Sequence, residues 1–528
     1  MPDYILYKIK GNLQAKLAGK NAATYAQAYR VLPSGKWGFY GREYLLPIHT
    51  SKARRICAPK GAQMGFTEAM INIAFYGLDV KKLDTLYIFP TAEDSSAFSA
   101  GRFATALDLS PRLKELFTDV NNVKHKKAGI VNFYCRGSNS RAGLKSIPVA
   151  RLFFDEFDEI LPEMIPLGRE RLSGADDFFE MDISTPTIPD FGIMQEFDNS
   201  KQHYWFVKCL HCGHKQMIEW PDSVQFIEKP VLDAWLICLK CKKKWPHERK
   251  KELISSSNYE VVKNAHVDHE GYSVSQLYSC SLAAHPKEIV RLSLRTEEHH
   301  KVELYNSKLG RPYIPEGSVV TREMVRQCFQ SYKPDTRAIS ACMGVDVSAV
   351  GRHFVTIGNP DNHGFPIIMT FGLYTWKELG SLMQTYNIRC CVIDAQPERS
   401  KARDFSDTFE TRVFMAFYPE GLKIEYKANE ENRNISIDRS EAIEKLHNRI
   451  RNEQIAFPNQ TYCKDQLVDH CTALVKTYRK DKSGLMKPRY LTTGADHFAH
   501  SLIYLSTAMT ISPIAGTDFV LESGNFLR

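Results

Sequence analysis

The run Arg151-Leu152-Phe153-Phe154-Asp155-Glu156 constrains the fold more than any other stretch of the chain, because it sets an apolar strand directly against two adjacent acids. A strand this apolar is buried on both faces, as in a parallel sheet, and delivers its terminal acids to one place. Thr85–Pro90 and Met181–Ser184 read as further buried strands, and amphipathic segments separate such runs from about residue 50 to residue 190. That alternation is the rhythm of a parallel α/β sheet, in which functional groups collect beyond the carboxyl ends of the strands. The competing reading of Asp155 and Glu156 is an acid-rich surface turn, since Asp158 and Glu159 follow at once.

Upstream, Lys60-Gly61-Ala62-Gln63-Met64-Gly65-Phe66-Thr67 precedes a helical pattern over Glu68–Tyr76. Between a strand and a helix N-terminus, such a loop turns backbone N–H groups onto phosphate oxygens. Lys60, Gly61, Gly65, Phe66 and Thr67 are therefore the candidate phosphate contacts. Thr67 and Asp155 are the candidate magnesium ligands, and Glu156 the group that orients or deprotonates an attacking water. The loop departs from the usual pattern, with Lys60 where the first glycine belongs and Phe66 where the lysine belongs. Lys60 can supply the missing ammonium by folding its stem back over the phosphates; a plain glycine-containing turn is the alternative. Ser184-Thr185-Pro186-Thr187, after the next strand, is either a γ-phosphate sensor or an ordinary turn.

Cys209-x-x-Cys212 and Cys238-x-x-Cys241 present four soft ligands at spacings that suit tetrahedral zinc with no open position, a structural metal. His211 and His214 compete as ligands. Lys208, Lys215, Lys240, Lys242, Lys243 and Lys244 surround the pairs, either as DNA-phosphate contacts or as a solvated face. The chain has 13 cysteines, an odd count. Cys57, Cys135, Cys390 and Cys391 sit in apolar contexts and read as core residues.

A new series of strands starts at Ala341, in a β-β-β-α-β-α pattern. Asp346 lies within its first strand, Asp394 ends a later one, and Asp496 opens a C-terminal helix with His500 four residues on, on the same face. Strand acid, strand-end acid and helix acid are the set by which a ribonuclease-H-like sheet gathers two divalent ions for phosphodiester hydrolysis. His500 either supports Asp496 or packs against the sheet. Between the second and third acids, the basic stretch Lys423 to Arg439 precedes an amphipathic helix that Asp438 can cap, with Glu441 three residues on. Lys427, Arg433 and Arg439 are candidate phosphate contacts, with solvated loop charge as the alternative.

At 528 residues the chain needs two or three domains, each able to bury a core of its own. With 43% hydrophobic and 25% charged residues it has the composition of a soluble globular protein. Its net charge of +8 is compatible with a polyanionic partner without establishing one. Met1–Lys10 has no secretory pattern, and no run reaches the ~20 apolar residues that span a bilayer, so a cytosolic protein without membrane contact is expected.

Taken together these residues resemble the large terminase subunit of tailed bacteriophages, particularly its lambda-like branch, over nearly the whole chain. The strings that carry the resemblance are Lys60–Ala69, Gly137–Arg141 followed by Leu152–Asp158, Ser184–Thr187, the cysteine pairs and Asn306–Pro312. That branch is similar in having its phosphate-loop lysine displaced to the start of the loop, where Lys60 stands. The resemblance implies an α/β chain, with a RecA-like P-loop ATPase carrying a zinc-binding insert and then a ribonuclease-H-like nuclease. It implies ATP, Mg²⁺ or Mn²⁺, and Zn²⁺ as cofactors. It further implies a homo-oligomeric ring on the portal protein of a prohead, pumping double-stranded DNA in the host cytoplasm and cutting concatemers at sites chosen with a small terminase subunit.

On this reading residues 1–49 contact the small subunit, 50–203 form the ATPase core, 204–250 the zinc insert and 251–337 the remainder of the ATPase domain and linker. Residues 338–510 form the nuclease, and 511–528 a tail toward the portal. Arg102 is the candidate arginine near the phosphates, and Tyr40 or Tyr44 the candidate base contact. Two other readings are a cellular DNA-repair helicase–nuclease, which needs a second RecA-like domain, and a non-catalytic zinc-containing DNA-binding scaffold, which the altered phosphate loop would suit.

Overall fold

The computed structural model describes residues 16–512 apart from 118–121, 146, 231, 265–267, 333–340, 362, 410, 420–421, 423 and 481–484. The partner-contact segments before residue 16 and after residue 512, Lys423, and the expected domain start at residue 338 lie outside the described residues. The chain divides into two compact units, Met1–Ile314 and Pro315–Arg528. No helix among the described residues is long and apolar enough to cross a membrane.

The first unit is built on a sheet whose strands are, in chain order, β1 (Arg55–Pro59), β2 (Thr85–Phe89), β3 (His125–Ala128), β4 (Val131–Gly137), β5 (Arg151–Asp155), β6 (Phe179–Ser184), β7 (Lys201–Lys208) and β8 (Lys215–Met217). A small separate sheet follows, of β9 (Val224–Ile227), β10 (Asp233–Ile237) and β11 (Lys244–Trp245), and the chain then returns through β12 (Asn258–Lys263) and β13 (His269–Ser273). The main sheet runs β8-β7-β13-β1-β6-β5-β2-β4-β3, with β12 pairing to β7. From β7 to β4 every pairing is parallel, and antiparallel strands close both ends.

β1, β2 and β5 are apolar on both faces because helices cover both, as parallel strands require; all five residues of β2 and of β5 are buried. Helix α1 (Ala22–Tyr29) packs on α2 (Phe66–Tyr76), which follows β1 and is buried at eight of its positions. Sequence pattern does not reveal that β13, a short and largely polar segment, re-enters the sheet beside β1. Its backbone pairing, rather than its side chains, places it there.

In the second unit β14 (Cys342–Asp346), β15 (His353–Pro360) and β16 (Pro366–Tyr374) form an antiparallel meander. After α3 (Trp376–Thr385) come β17 (Cys390–Asp394), α4 (Arg399–Thr408), β18 (Val413–Phe417), β19 (Tyr426–Asn429), β20 (Asn434–Ile437), α5 (Arg439–Arg451) and α6 (Lys464–Thr472). A hairpin of β21 (Leu474–Lys480) and β22 (Met486–Thr492) leads to α7 (His497–Ile511). The sheet order is β16-β15-β14-β17-β18-β20-β19, with β14, β17, β18 and β20 parallel. One apolar layer takes α3 and α4, and the other takes α5, α6 and α7. This sheet is mixed, unlike the parallel sheet of the first unit. Phe329–Gln330, upstream of the expected boundary, pairs with Phe457–Pro458 and so packs with the second unit.

Helix α7 crosses β14 so closely that position 344 has to be glycine: a Cβ there would stand 2.1 Å from Ser501 O and 2.2 Å from Leu505 N. The same approach brings the start of α7, and Asp496 with it, beside the end of β14.

Candidate active sites and metal centre

The loop between β1 and α2 carries left-handed backbone at Gln63 and at Gly65 (φ +59° and +87°), a conformation that costs a glycine little. Its first part is tightly tied. Lys60 N–H donates to Ser184 O (3.0 Å), Gly61 N–H to Val274 O (2.9 Å) and Ala62 N–H to Ser307 O (2.7 Å). The Gly61 N–H is therefore already used, and the reason for a glycine at 61 is steric: a Cβ would lie 2.9 Å from both Gln276 N and Lys308 O. Gly310, from the Asn306–Pro312 string, packs against the same spot, its notional Cβ 2.7 Å from Gly61 N. Gln276 Nε2 donates to Ala62 O (2.6 Å), and Tyr44 Oη to Met64 O (3.2 Å).

The N–H groups of Phe66 and Thr67 open α2 and so have no acceptor within the helix, which leaves them for an anion. Phe66 itself is 1% exposed, so its ring belongs to the core and only its backbone faces the loop.

Lys60 is buried beneath the loop and its Nζ stands 3.5 Å from Glu156 Oε1. Asp155 closes the group, hydrogen-bonded by Thr67 and by Tyr87 Oη (3.2 Å). Burial, with the neighbouring Glu156 charge, raises the Asp155 carboxyl to about 6, while the Lys60 ammonium opposes that rise. Glu156 is left-handed (φ +57°), a conformation that persists in a non-glycine residue only where its surroundings enforce it.

The acids after Glu156 are not a surface turn. Asp158 is 3% exposed, and its carboxylate accepts hydrogen bonds from residues 187 and 193. Sequence alone gave no role to this residue. Ser184–Thr187 follows β6, which lies between β1 and β5, so its loop stands between the phosphate loop and the acids. Arg102 is exposed on the turn Ser99–Phe103 and makes no ion pair with these acids. Next to the loop, a cavity of about 570 Å³ is lined by Tyr40, Arg42, Tyr44, Gln63, Gln276 and Cys280, among others. Tyr40 is exposed on it, whereas the Tyr44 ring is buried.

The four cysteines converge. Cys209 and Cys241 Sγ are 3.8 Å apart, Cys212 and Cys238 Sγ 3.7 Å, and all four sulfurs lie within 4.8 Å of one another. The two turns repeat one hydrogen-bond scheme. Gly213 N–H reaches Cys209 O and Lys242 N–H reaches Cys238 O, both donors being left-handed, and N–H groups of His211 and Cys241 point at Cys209 and Cys238 sulfurs. Burial opposes ionisation of Cys209, but the N–H donors of Cys212 and His211 outweigh it and hold that thiol below its ordinary value. Neither His211 nor His214 joins the cluster. Of the surrounding lysines, Lys215 pairs with Glu260 (2.7 Å) and Lys244 lies over the Trp235 ring (3.3 Å), while Lys240, Lys242 and Lys243 are exposed.

In the second unit Asp346 and Asp394 end the adjacent parallel strands β14 and β17, and Asp496 is the residue before α7. His497 Nδ1 lies 2.8 Å from Asp346 Oδ2. Asp394 Oδ1 accepts Gln396 N–H (3.0 Å); burial raises its carboxyl to about 6, and Asp346 adds to the rise. Burial also acts to raise Asp496, but His500, through both its hydrogen bond and its charge, and then Arg439 pull this carboxyl down to about 2.

His500 Nε2 is 3.2 Å from Asp496 Oδ2 and its Nδ1 2.8 Å from Tyr418 Oη, so it supports the acid rather than merely packing. Arg439 donates to Tyr490 O and Thr492 Oγ1 and pairs with Asp496 (3.6 Å), while Arg433 pairs with Asp407. Lys427 is exposed on β19. Among the described residues the cysteines are the one group of three or more His, Cys, Asp or Glu whose ligand atoms all lie within 4.8 Å; the three carboxylates are spread more widely. Asp438 does cap α5, accepting Glu441 N–H (2.9 Å).

Residues 34–258 match the family described as phage terminase large subunit gpA, ATPase domain. The terminase large subunit of Enterobacteria phage P21 is 22% identical over 179 residues, 31% of this chain and 28% of that protein. That of Escherichia phage lambda is 22% identical over 227 residues, 39% of this chain and 35% of that protein. The chain thus spans about a third of the length of the curated relatives it matches. The crystal structure of the HK97 bacteriophage large terminase covers 93% of this chain and 99% of its own, with a TM-score of 0.50 and 10% identity, a likeness of fold.

Proposed function

We propose that this chain, a relative of the phage terminase large subunits, hydrolyses ATP in its first unit and cuts DNA in its second, so as to drive double-stranded viral DNA into a prohead and sever it from a concatemer. The observation that carries the reading is the meeting of Lys60 with Glu156 beside Asp155 and Thr67, at the carboxyl ends of the parallel strands β1 and β5, with β6 between them. Lys60 replaces the ammonium that Phe66 cannot supply, and the N–H groups at the start of α2 hold the phosphates. Thr67 and Asp155 would hold Mg²⁺, and Glu156 would orient and deprotonate water. The cavity beside Gln63 suits the base, with Tyr40 at its mouth.

In the second unit Asp346, Asp394 and Asp496 would hold Mg²⁺ or Mn²⁺, and their oxygen donors fit such hard cations. The ions would supply charge neutralisation at the phosphodiester and an activated water. The chain's own part is to keep Asp496 ionised through His500 and Arg439, and to hold Asp346 with His497. The four thiols suit a structural Zn²⁺, and exposed Lys240, Lys242 and Lys243 suit contact with DNA phosphates. A small terminase subunit, a portal protein and a ring of copies of this chain complete the reading. The mixed sheet of the second unit speaks against a helicase with two RecA-like domains.

The test pairs two variants. Glu156→Gln should abolish ATP turnover and leave Mn²⁺-dependent DNA cleavage measurable; Asp394→Ala should do the reverse. Retained ATPase activity in the first, or retained cutting in the second, removes that residue from its role. ATP-dependent packaging of DNA into purified proheads tests the motor itself.

A further inference from the structure

Asp158, two residues beyond Glu156, sits in a fitted socket. Its carboxylate accepts three hydrogen bonds: from Thr187 N–H (2.8 Å), from the Thr187 hydroxyl (2.7 Å) and from Ile193 N–H (2.7 Å). Its own N–H donates to Ser184 Oγ (3.2 Å). Gly192 makes room for it, since a Cβ at that position would stand 2.3 Å from Asp158 Oδ1.

Beyond that socket the contacts continue. Thr187 O accepts from Asn306 Nδ2 and from Tyr313 N–H, both at 3.0 Å, and Ser307 O takes the Ala62 N–H of the phosphate loop. The turn Phe157–Glu159 is itself short, closed by Glu159 N–H on Glu156 O (2.9 Å), so whatever fixes Asp158 fixes the backbone of Glu156.

We propose that Asp158 is a positioning residue for the hydrolytic acid: it fastens the turn carrying Glu156 to the Ser184–Thr187 loop, so that both approach the terminal phosphate of the nucleotide as one body. The inference rests on the ATPase reading above. Two segments leave adjacent parallel strands, β5 and β6, at the same end, and nothing in the strand pairing sets the position of one beyond its strand against the other. The buried carboxylate does so. The carboxyl group offers an acceptor oxygen on each side, Oδ2 to Thr187 and Oδ1 to Ile193; asparagine keeps one such oxygen and would turn its amide N–H groups toward Thr187 or Ile193, where donors already point. Thr187 is then more than a turn residue, because its hydroxyl and N–H are the handle by which the acid's turn is held.

The experiment uses the full chain, with Asp158→Asn and Thr187→Val beside the wild type. Binding is titrated with a fluorescent ATP analogue, and kcat is expressed per nucleotide-binding site, so that any misfolded fraction drops out. A misplacement of up to about 1 Å at a reacting group costs up to roughly 100-fold in rate. We expect kcat per site to fall about 10- to 100-fold in Asp158→Asn and about 3- to 10-fold in Thr187→Val, by the same principle of lost alignment, with KM and analogue affinity moving less than about threefold.

Unchanged kcat per site in Thr187→Val, or a loss of affinity as large as the loss of kcat, overturns the proposal, the second because it marks a merely structural role. Thr187→Val removes one donor and leaves the backbone intact, so it decides the matter even if Asp158→Asn does not fold. Failure of the wild type to bind or hydrolyse ATP would instead defeat the ATPase reading, and the proposal with it; that outcome appears in the wild-type arm alone.

Discussion

His497 Nδ1 stands 2.8 Å from Asp346 Oδ2, so the residue that follows the third carboxylate of the second unit holds the first. The contact spans 151 positions of sequence and exists because α7 lies against β14 at Gly344. With His500 on Asp496, the first turn of α7 supplies an imidazole to two of the three acids.

Replacing His497 by Ala should therefore weaken the second unit's chemistry without touching the first. Loss of a group that orients a metal-binding carboxylate typically costs about 10- to 100-fold in metal affinity or activity. Direct titration of Mn²⁺ binding and the rate of plasmid cleavage should both show that loss, with ATP hydrolysis within about twofold of wild type. An unaltered Mn²⁺ affinity would mean that Asp346 needs no such support.

Metal analysis of the purified chain should find one tightly bound zinc. Cys212→Ser should lose it, and because a structural site contributes its binding energy to folding, the variant should melt several degrees lower. Zinc retained in that variant would refute a site made by all four thiols.

Gly344→Ala places a methyl group 2.1 Å from Ser501 O, a backbone atom that cannot swing aside. Overpacking of this kind costs roughly 1–3 kcal/mol or more. Urea unfolding of the second unit should show a lower midpoint at unchanged slope. Cleavage should fall too, since α7 carries Asp496; wild-type stability would contradict the close packing.

Lys250 gives a pH dependence whose sign can be worked out. Its ammonium is buried, donates to Ser279 O (2.9 Å), and burial lowers its pKa from 10.5 to about 7. Between pH 7 and 10 the unfolded chain binds a proton there that the folded chain does not, so this group's contribution to stability rises with pH, by about 1.4 kcal/mol per pH unit at most. It is fully present only above the unfolded value and is lost as pH falls toward 7. Lys250→Met should flatten that part of the stability curve relative to wild type in denaturant titrations at pH 7, 8 and 9. Parallel curves for the two proteins would show that the ammonium is solvated in the folded state.

Both sheets were legible where side chains state their surroundings. The apolar run ending at Asp155 and the cysteine pairs could be read locally, because burial of a whole strand and tetrahedral thiolate spacing are encoded in neighbouring residues. β13 was not legible, since it enters the sheet through backbone pairing and shows no alternation of its own.

The same division holds for the phosphate loop. Sequence alone determined that Phe66 cannot bind a phosphate through its side chain, and offered Lys60 as a candidate ammonium beside the alternative of a plain turn. Only the folded chain decided that Lys60 meets Glu156, that Gly61 is a packing glycine pressed by residues 276 and 308, and that Asp158 is a buried anchor instead of a surface acid. The physical reason is distance along the chain. Spacing reports what a few neighbouring residues can do together, whereas the partners of Lys60, Asp158 and His497 are brought to them by strand order and by one helix crossing at a glycine.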